Sequence, residues 1–129
     1  MPRTLVSSGS PWEPVFGFSR AVRVGNVIAV AGTAAIAEDG SAACPGDPAG
    51  QARRCLEIIA QALTKAGGGM EHVVRTRVLL TNAAHWPAVA KVHGEVFGEV
   101  RPACTVAVVT GFLEREWLVE IEVDAVVEG

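Results

Sequence analysis

Hydrophobic and polar residues alternate from Val119 to Ala125 within the segment LVEIEVDAVV, residues 118–127. One set of alternate positions is entirely apolar: Val119, Ile121, Val123, Ala125 and Val127. The other set carries Glu120, Glu122 and Asp124. Because a strand turns successive side chains to opposite faces, this pattern predicts a strand with one face in a core. The other face presents three carboxylates in a row, which need water or a cationic partner since an unpaired buried carboxylate is costly.

Shorter runs of strand-forming residues, separated by turn formers, predict further strands. Residues 3–8 are consistent with an edge strand, and residues 8–17 with a loop rich in turn formers. Residues 18–33 indicate two strands joined by a Gly25-Asn26 hairpin turn. Residues 104–111 indicate another strand, joined by FLEREW to the last one.

Alternation also predicts a strand over residues 72–81. Val74, Thr76, Val78 and Leu80 would share one face; Val73, Arg75, Arg77 and Leu79 would share the other. The two arginines are therefore expected donors to the row of carboxylates.

Two segments have helical periodicity. The first begins at Asp47-Pro48, where Asp suits the N-cap and Pro the first helical position, and it ends at Gly67–Gly69. Its apolar face comprises Ala52, Cys55, Leu56, Ile59, Leu63 and Ala66. The second spans about residues 84–98, with Trp86, Val89, His93, Val96 and Phe97 roughly on one side.

The order of these elements predicts the fold class. Strand runs separated by single helices favour an α+β sandwich: a mixed six-stranded sheet with both helices on one face. The helices would then cover the Val119 face of the last strand. The carboxylate face would meet either water or another subunit.

Composition narrows the classes of function. The chain has 129 residues, which suits one domain over residues 1–129, and half of them are hydrophobic. The mean hydropathy is positive, which suggests apolar surface left for a partner chain. The net charge of −3 argues against nucleic-acid binding, and no apolar run approaches the roughly 20 residues of a membrane span.

The cysteines and histidines suggest a cytoplasmic protein without a metal site. Cys44, Cys55 and Cys104 form no CxxC pair, and no secretory signal precedes them, so free thiols in a reducing compartment are expected. The three histidines are scattered without zinc-type spacing.

Several blocks resemble a known family. VRVGNVIAVAGT, the helix QAxxxLxxIxxxLxxAG, VVRTRVLLTN and above all RPACTVAVV…LVEIEVDAV are similar to the Rid proteins, the YjgF/YER057c/UK114 family. The resemblance covers residues 17–127 in order. It implies a chorismate-mutase-like fold of the bacillus type, a homotrimer and small-molecule clefts at the subunit interfaces. It also implies hydrolysis of enamines and imines to ammonia and a 2-keto acid without a cofactor; some members carry ribonuclease or translation-inhibitor labels.

The sequence departs from the family pattern at three pocket positions. In the deaminating members the Pro-Ala pair precedes an Arg that forks onto the substrate carboxylate, a geometry that only guanidinium provides. Here Pro102-Ala103 precedes Cys104, Ala31-Gly32-Thr33 stands where SGQ is usual, and Phe18 replaces a Tyr. Gly32 and Glu120 remain. The resemblance therefore implies a divergent subgroup whose pocket is apolar and lacks its anion anchor.

Glu120 is the candidate catalytic residue. A carboxylate partly desolvated in a cleft can position or activate a water molecule. The alternative is a structural acid bonded to amides of a neighbouring subunit. Glu122 and Asp124 are expected to be solvated or paired with Arg.

The resemblance implies a set of substrate-binding candidates: Phe18, Arg20, Ala31, Gly32, Thr33, Cys104 and Thr105. Arg20 either replaces the missing anion clamp or is exposed or ion-paired. Thr33 offers a hydroxyl near the position of the lost Ser. Cys104 either lines the pocket, packs in the core or acts as a nucleophile, which requires a lowered thiol pKa.

Three aromatic residues have structural alternatives. His93 is interpreted as a satisfied core or interface histidine. Trp12 and Trp117 lie in predicted loops beside the cleft, where they either cap an apolar ligand or bury against a neighbouring chain.

Three functions remain open at this point. The first is an imine or enamine hydrolase acting on a neutral or bulky apolar substrate. The second is a trimer that binds a small metabolite without turnover. The third is a ribonuclease, which the negative charge and the scattered histidines disfavour.

Overall fold

The computed structural model describes residues 2–128, and a mixed six-stranded sheet forms its centre. The strands are β1 Arg3–Val6, β2 Ala21–Val24, β3 Val27–Ala34, β4 Val73–Leu80, β5 Ala103–Val108 and β6 Val119–Val126. The helices are α1 Trp12–Phe16, α2 Pro48–Lys65 and α3 Trp86–Phe97, with short 3-10 turns at Met70–His72 and Ala83–His85. The spatial order is β1-β2-β3-β6-β4-β5, in which only the β4–β5 pair is parallel. The predicted fold class is confirmed.

The two long helices cover one face of the sheet. All six residues of the predicted apolar face of α2 are buried, together with Val119, Ile121, Val123 and Ala125 of β6. The Asp47 side chain accepts a hydrogen bond from the Gly50 amide at 3.0 Å, as expected of an N-cap. Among residues 2–128, no helix is long and apolar enough to cross a membrane.

The row of carboxylates lies on the uncovered face, as predicted. Arg77 Nη1 lies 2.8 Å from Glu122 Oε1 and 3.5 Å from Asp124 Oδ2, and Arg75 Nε lies 3.8 Å from Asp124 Oδ2. These side chains are partly exposed, so each pair contributes about 0–1 kcal/mol. Glu120 is not among the carboxylates paired with Arg75 and Arg77. It lies in a cleft with Gly32 and Arg20.

Two predictions about local structure are wrong. Residues 8–17 contain the short helix α1, which ends at Gly17 in the left-handed conformation with φ +76°. Five residues are too few to display helical periodicity. On β4, Val74 is 48% exposed and Val73 is buried, the reverse of the prediction. A β-bulge between Val73 and Arg75 inserts an extra residue opposite β6 and so inverts the alternation upstream of it.

The face of the second helix also differs from the prediction in part. Val89 and Phe97 are buried as expected, but Val92 is buried and Val96 exposed. His93 Nε2 lies 2.9 Å from the Thr76 hydroxyl oxygen, and its ring packs on Phe97 with 4.8 Å between centroids. Burial lowers the pKa of His93. The structural interpretation of this histidine is thus consistent with its contacts.

A buried amide attaches the loop before β6 to α2. Gln51 is fully buried; its Nε2 donates to the Glu116 carbonyl at 2.9 Å, and its Oε1 accepts from the Leu118 amide at 2.8 Å. These bonds fix the position at which β6 begins. They therefore also fix the position of Glu120, two residues further on.

Replacing Gln51 by Met is expected to lower the free energy of unfolding by about 1–3 kcal/mol, because the Glu116 carbonyl and the Leu118 amide lose their hydrogen bonds to a buried side chain. Urea denaturation measures this change. Gln61→Met is the matched control, since Gln61 is exposed on the same helix; it should change stability by no more than about 0.5 kcal/mol. Equal losses in both variants would contradict a clamping role for Gln51.

Candidate active site

An open cleft of about 800 Å³ lies beside the ends of β2 and β3. Five of the eight predicted site residues line it: Phe18, Arg20, Gly32, Thr33 and Glu120. Trp12 and Trp117 line it as well, although Trp12 belongs to α1 and not to a loop. A volume of this size is typical of small-molecule sites, which span roughly 300–1,000 Å³.

A β-bulge places Gly32 against the Glu120 carboxylate. Val30 is paired with Val123 and Thr33 with Ile121, so β3 spans this interval with one residue more than β6. A Cβ at position 32 would lie 3.0 Å from Glu120 Oε1. Glycine therefore leaves room for the Glu120 carboxylate to rest against the β3 backbone.

Arg20 is held by the same bulge. Its Nη1 donates to the Gly32 carbonyl at 2.7 Å and contacts the Thr33 hydroxyl oxygen at 3.1 Å. Its guanidinium carbon lies 5.6 Å from the centre of the Phe18 ring. Thr33 is buried, and its hydroxyl donates to the Ala31 carbonyl at 2.8 Å. The Thr33 hydroxyl is thus hydrogen-bonded to Arg20 and to the backbone of the bulge, and its proton does not point into the open cleft.

The charges around Glu120 act on its pKa in opposite directions. Burial raises the pKa of Glu120, Arg20 lowers it in part, and Glu122 raises it further. Burial also lowers the pKa of Arg20, against the effect of Glu13 and Glu120. A carboxylate with a raised pKa next to a fixed cation can exchange protons near working pH.

Sequence reasoning missed Glu13, which is buried at the base of α1. Its Oε2 accepts hydrogen bonds from the Ser8 hydroxyl at 2.7 Å and the Ser8 amide at 3.1 Å. Burial alone would raise the pKa of Glu13, but hydrogen bonds, chiefly from Ser8, hold it below its usual value. The only available signal was a lone acid among serines, which is equally typical of a solvated loop.

The other three predicted site residues do not meet Glu120 within one chain. Ala31 lines a separate groove on the uncovered face of the sheet, beside Arg77 and Glu122. Cys104 and Thr105 lie on β5, two strands from β6 in the sheet. Cys104 is level with Thr76, whereas Glu120 is level with Leu79, three residues further along β4.

The alternatives for Cys104 can be narrowed. It is exposed, so the prediction that it packs in the core of its own chain is wrong.

Within residues 2–128 no group of His, Cys, Asp and Glu side chains is arranged to hold a metal ion. Cys55 is the buried thiol, and burial raises its pKa far above its usual value.

Comparison with known proteins agrees with this architecture. A family model described as Endoribonuclease L-PSP matches residues 9–127. The structure of Rv2704 from Mycobacterium tuberculosis, a member of the YjgF/YER057c/UK114 family, superposes with a TM-score of 0.88 at 42% identity; the match covers 98% of this chain and all of that one.

Two curated sequences match over similar lengths. An uncharacterised protein of Streptomyces coelicolor is 43% identical over 93% of this chain and 89% of its own. The 3-aminoacrylate deaminase RutC of Acinetobacter baylyi is 31% identical over 94% of this chain and 95% of its own.

The mixed sheet, the two helices on one face and the cleft at Glu120 define an α+β protein of the Rid type. The chain belongs to the Rid family, also called YjgF/YER057c/UK114. Membership of a divergent subgroup within this family stays a prediction.

Proposed function

We propose that this protein hydrolyses C=N bonds of imines or enamines, with release of ammonia, and that Glu120 is its acid–base group. The observation that carries the proposal is the partly buried Glu120 carboxylate, resting on Gly32 and facing Arg20 in an open cleft. The similarity to a 3-aminoacrylate deaminase supports the same reaction class.

In this proposal ionised Glu120 removes a proton from a water molecule as the water oxygen bonds to the imine carbon. The imine reacts in the form protonated at nitrogen, so a neutral carbinolamine results. Glu120 then donates the proton taken from water to the nitrogen, and accepts the hydroxyl proton as the C–N bond breaks and the C=O bond forms. The released ammonia takes that proton from Glu120 and leaves as ammonium, together with the carbonyl compound. A positioned carboxylate of this kind contributes about 10²–10⁴-fold to the rate.

The proposed substrate is apolar or neutral near its reacting carbon. Arg20 and Arg54 both line the cleft, and each is engaged through one nitrogen: Arg20 Nη1 bonds to β3, and Arg54 Nε donates to the Ile36 carbonyl at 2.7 Å. Arg20 Nε is buried without a partner in the described residues. Cys104 supplies no charge in place of the usual guanidinium. A carboxylate on the substrate would therefore lack the two parallel hydrogen bonds of that fork.

The direct test is a panel of neutral imines generated in situ by an amine oxidase, with 2-imino acids from an amino-acid oxidase for comparison; hydrolysis is measured against a competing carbonyl trap. Acceleration over buffer, retained after dialysis against a chelator, would support the proposal. Ligand-induced thermal stabilisation with no acceleration for any imine would instead indicate a protein that binds metabolites without turnover.

The pH dependence of kcat/KM is expected to respond oppositely to two substitutions. If ionised Glu120 is the base, kcat/KM rises with pH through its pKa. Arg20 lowers that pKa, so Arg20→Gln should move the acid limb to higher pH. Glu122 raises it, so Glu122→Gln should move the limb to lower pH. Shifts in the same direction would contradict this assignment, and circular dichroism would verify that both variants fold.

We also propose that the cleft is completed by a second protomer in a homotrimer. Both faces of β5 are exposed, and the strand carries Val106 and Val108. The uncovered face of the sheet also exposes Leu5 and Val27. These apolar surfaces suit an interface, and a neighbouring β5 would bring Cys104 and Thr105 to the cleft that one chain leaves incomplete.

Sedimentation equilibrium at micromolar concentration is expected to give about three times the protomer mass of 13.4 kDa. Val108→Glu places a charge on the exposed β5 edge and should shift the distribution toward the protomer. Ala88→Glu, which adds the same single negative charge at an exposed position of α3, is the control for a change of charge alone. A wild-type protomer mass would contradict the trimer.

A further inference from the structure

A row of aromatic rings leads from solvent to the Glu120 cleft. The Trp12 and Phe16 ring centroids are 5.4 Å apart, with only 12° between the ring planes. Phe16 and Phe18 follow at 6.4 Å, and Arg20 lies over Phe18. We call Trp12, Phe16 and Phe18 the aromatic row. All three residues line the cleft.

The aromatic row is built on an anchored platform. The buried Glu13 carboxylate ties α1 to Ser8, as described above, and the Gly17 amide closes the helix by donating to the Glu13 carbonyl at 2.9 Å. The rings are therefore presented by a fixed turn. Preorganised side chains of this kind lose little entropy when a ligand binds.

The rings are exposed where a ligand could cover them. Trp12 is 48% and Phe16 61% exposed, although a large apolar side chain gains about 1.5–3 kcal/mol when fully buried. The other lining of the cleft includes Trp117 and Leu113, which precede β6. The cleft that contains Glu120 is thus lined by several apolar side chains in addition to the aromatic row.

We infer that this cleft selects substrates whose side chain is a planar ring, stacked on the aromatic row while the C=N carbon lies at Glu120. This inference rests on the proposed imine hydrolysis and names its substrate class. Nearly parallel rings present a flat face, and ring stacking adds about 0.5–1.5 kcal/mol beyond the burial of area. A ring is therefore favoured over an aliphatic chain of similar size.

The test compares two neutral imines that differ by one phenyl group, 2-phenylethanimine and ethanimine, each generated in situ by an amine oxidase. Wild type is expected to prefer the phenyl-bearing imine by about tenfold or more in kcat/KM, the equivalent of roughly 1.4 kcal/mol. Trp12→Ala and Phe16→Ala should each lower that ratio several-fold. Val15→Ala is the matched control, because Val15 is exposed on the same helix but lies outside the cleft; it should leave the ratio unchanged.

Binding of the two aldehyde products, measured by calorimetry, separates this inference from the proposed reaction. Tighter binding of phenylacetaldehyde than of acetaldehyde, weakened by Trp12→Ala, supports ring selection even if neither imine is hydrolysed. Equal binding of both products together with equal kcat/KM for both imines would overturn it while leaving imine hydrolysis intact. Dissociation of the assembly by Trp12→Ala or Phe16→Ala would also overturn it, since the rings would then serve contacts between subunits.

Discussion

Replacing Glu120 by Gln is expected to lower kcat/KM for imine hydrolysis by about 10²–10⁴-fold, the range for loss of a positioned acid–base group. The amide matches the carboxylate in size, so it can keep its place against Gly32. It cannot accept the proton of the attacking water. Ammonia release in a coupled assay measures the change, and equal rates for wild type and Glu120→Gln would remove Glu120 from the mechanism.

Glu122→Gln is the matched control, because Glu122 lies two residues along β6 on the same face but is paired with Arg77. At a pH high enough for Glu120 to be fully ionised, this variant should keep most of the activity.

Stability provides a second control. Burial raises the folded-state pKa of Glu120. Its contribution to the free energy of unfolding is therefore favourable at low pH and is lost as pH rises through that pKa. Glu120→Gln should therefore be no less stable than wild type at neutral pH.

Replacing Cys104 by Arg is expected to raise kcat/KM for small 2-imino acids by about 30-fold or more, since a hydrogen-bonded charge pair at an interface is worth roughly 2–5 kcal/mol. A guanidinium holds a carboxylate through two parallel hydrogen bonds. Cys104 lies on an exposed edge strand, so the longer side chain need not displace any core residue. The ratio of kcat/KM for an acidic and a neutral imine measures the gain.

Two further variants isolate the cause of that gain. Cys104→Met adds length without charge and should give no increase, whereas Cys104→Lys adds charge without the fork and should give a smaller one. Equal gains from Met and Arg would show that bulk and not charge matters. Because Cys104 and Glu120 lie apart in one chain, mixing inactive chains that carry both Glu120→Gln and Cys104→Arg with wild-type chains should yield mixed trimers that show the gain for small 2-imino acids.

Patterns among residues close in the sequence determined most of the secondary structure and which faces are buried. The alternation of residues 118–127 predicted which face of β6 is buried, and the same period placed Arg77 beside Glu122. Asp47-Pro48 and Gly67 correctly marked the limits of α2. These features depend on residues close in the chain, where a period of 2.0 or 3.6 is visible in the sequence itself. The family resemblance added Gly32 and Glu120 as partners, which the period could not do.

The candidate site depended on tertiary structure. The bulge between Val30 and Thr33 shifts the register by one residue, and no local period signals such an insertion. That shift places Gly32 under Glu120 and turns the Gly32 carbonyl towards Arg20.

From its sequence alone, this protein was determined to be a Rid-type α+β sandwich with an acidic, uncovered sheet face. Only the tertiary structure decided the contacts within the cleft, because Trp12, Gly32 and Glu120 are far apart in the chain and meet through one bulge and one short helix. The same reason explains the separation of Cys104: its distance from Glu120 is set by the order of strands across the sheet, which local sequence does not encode.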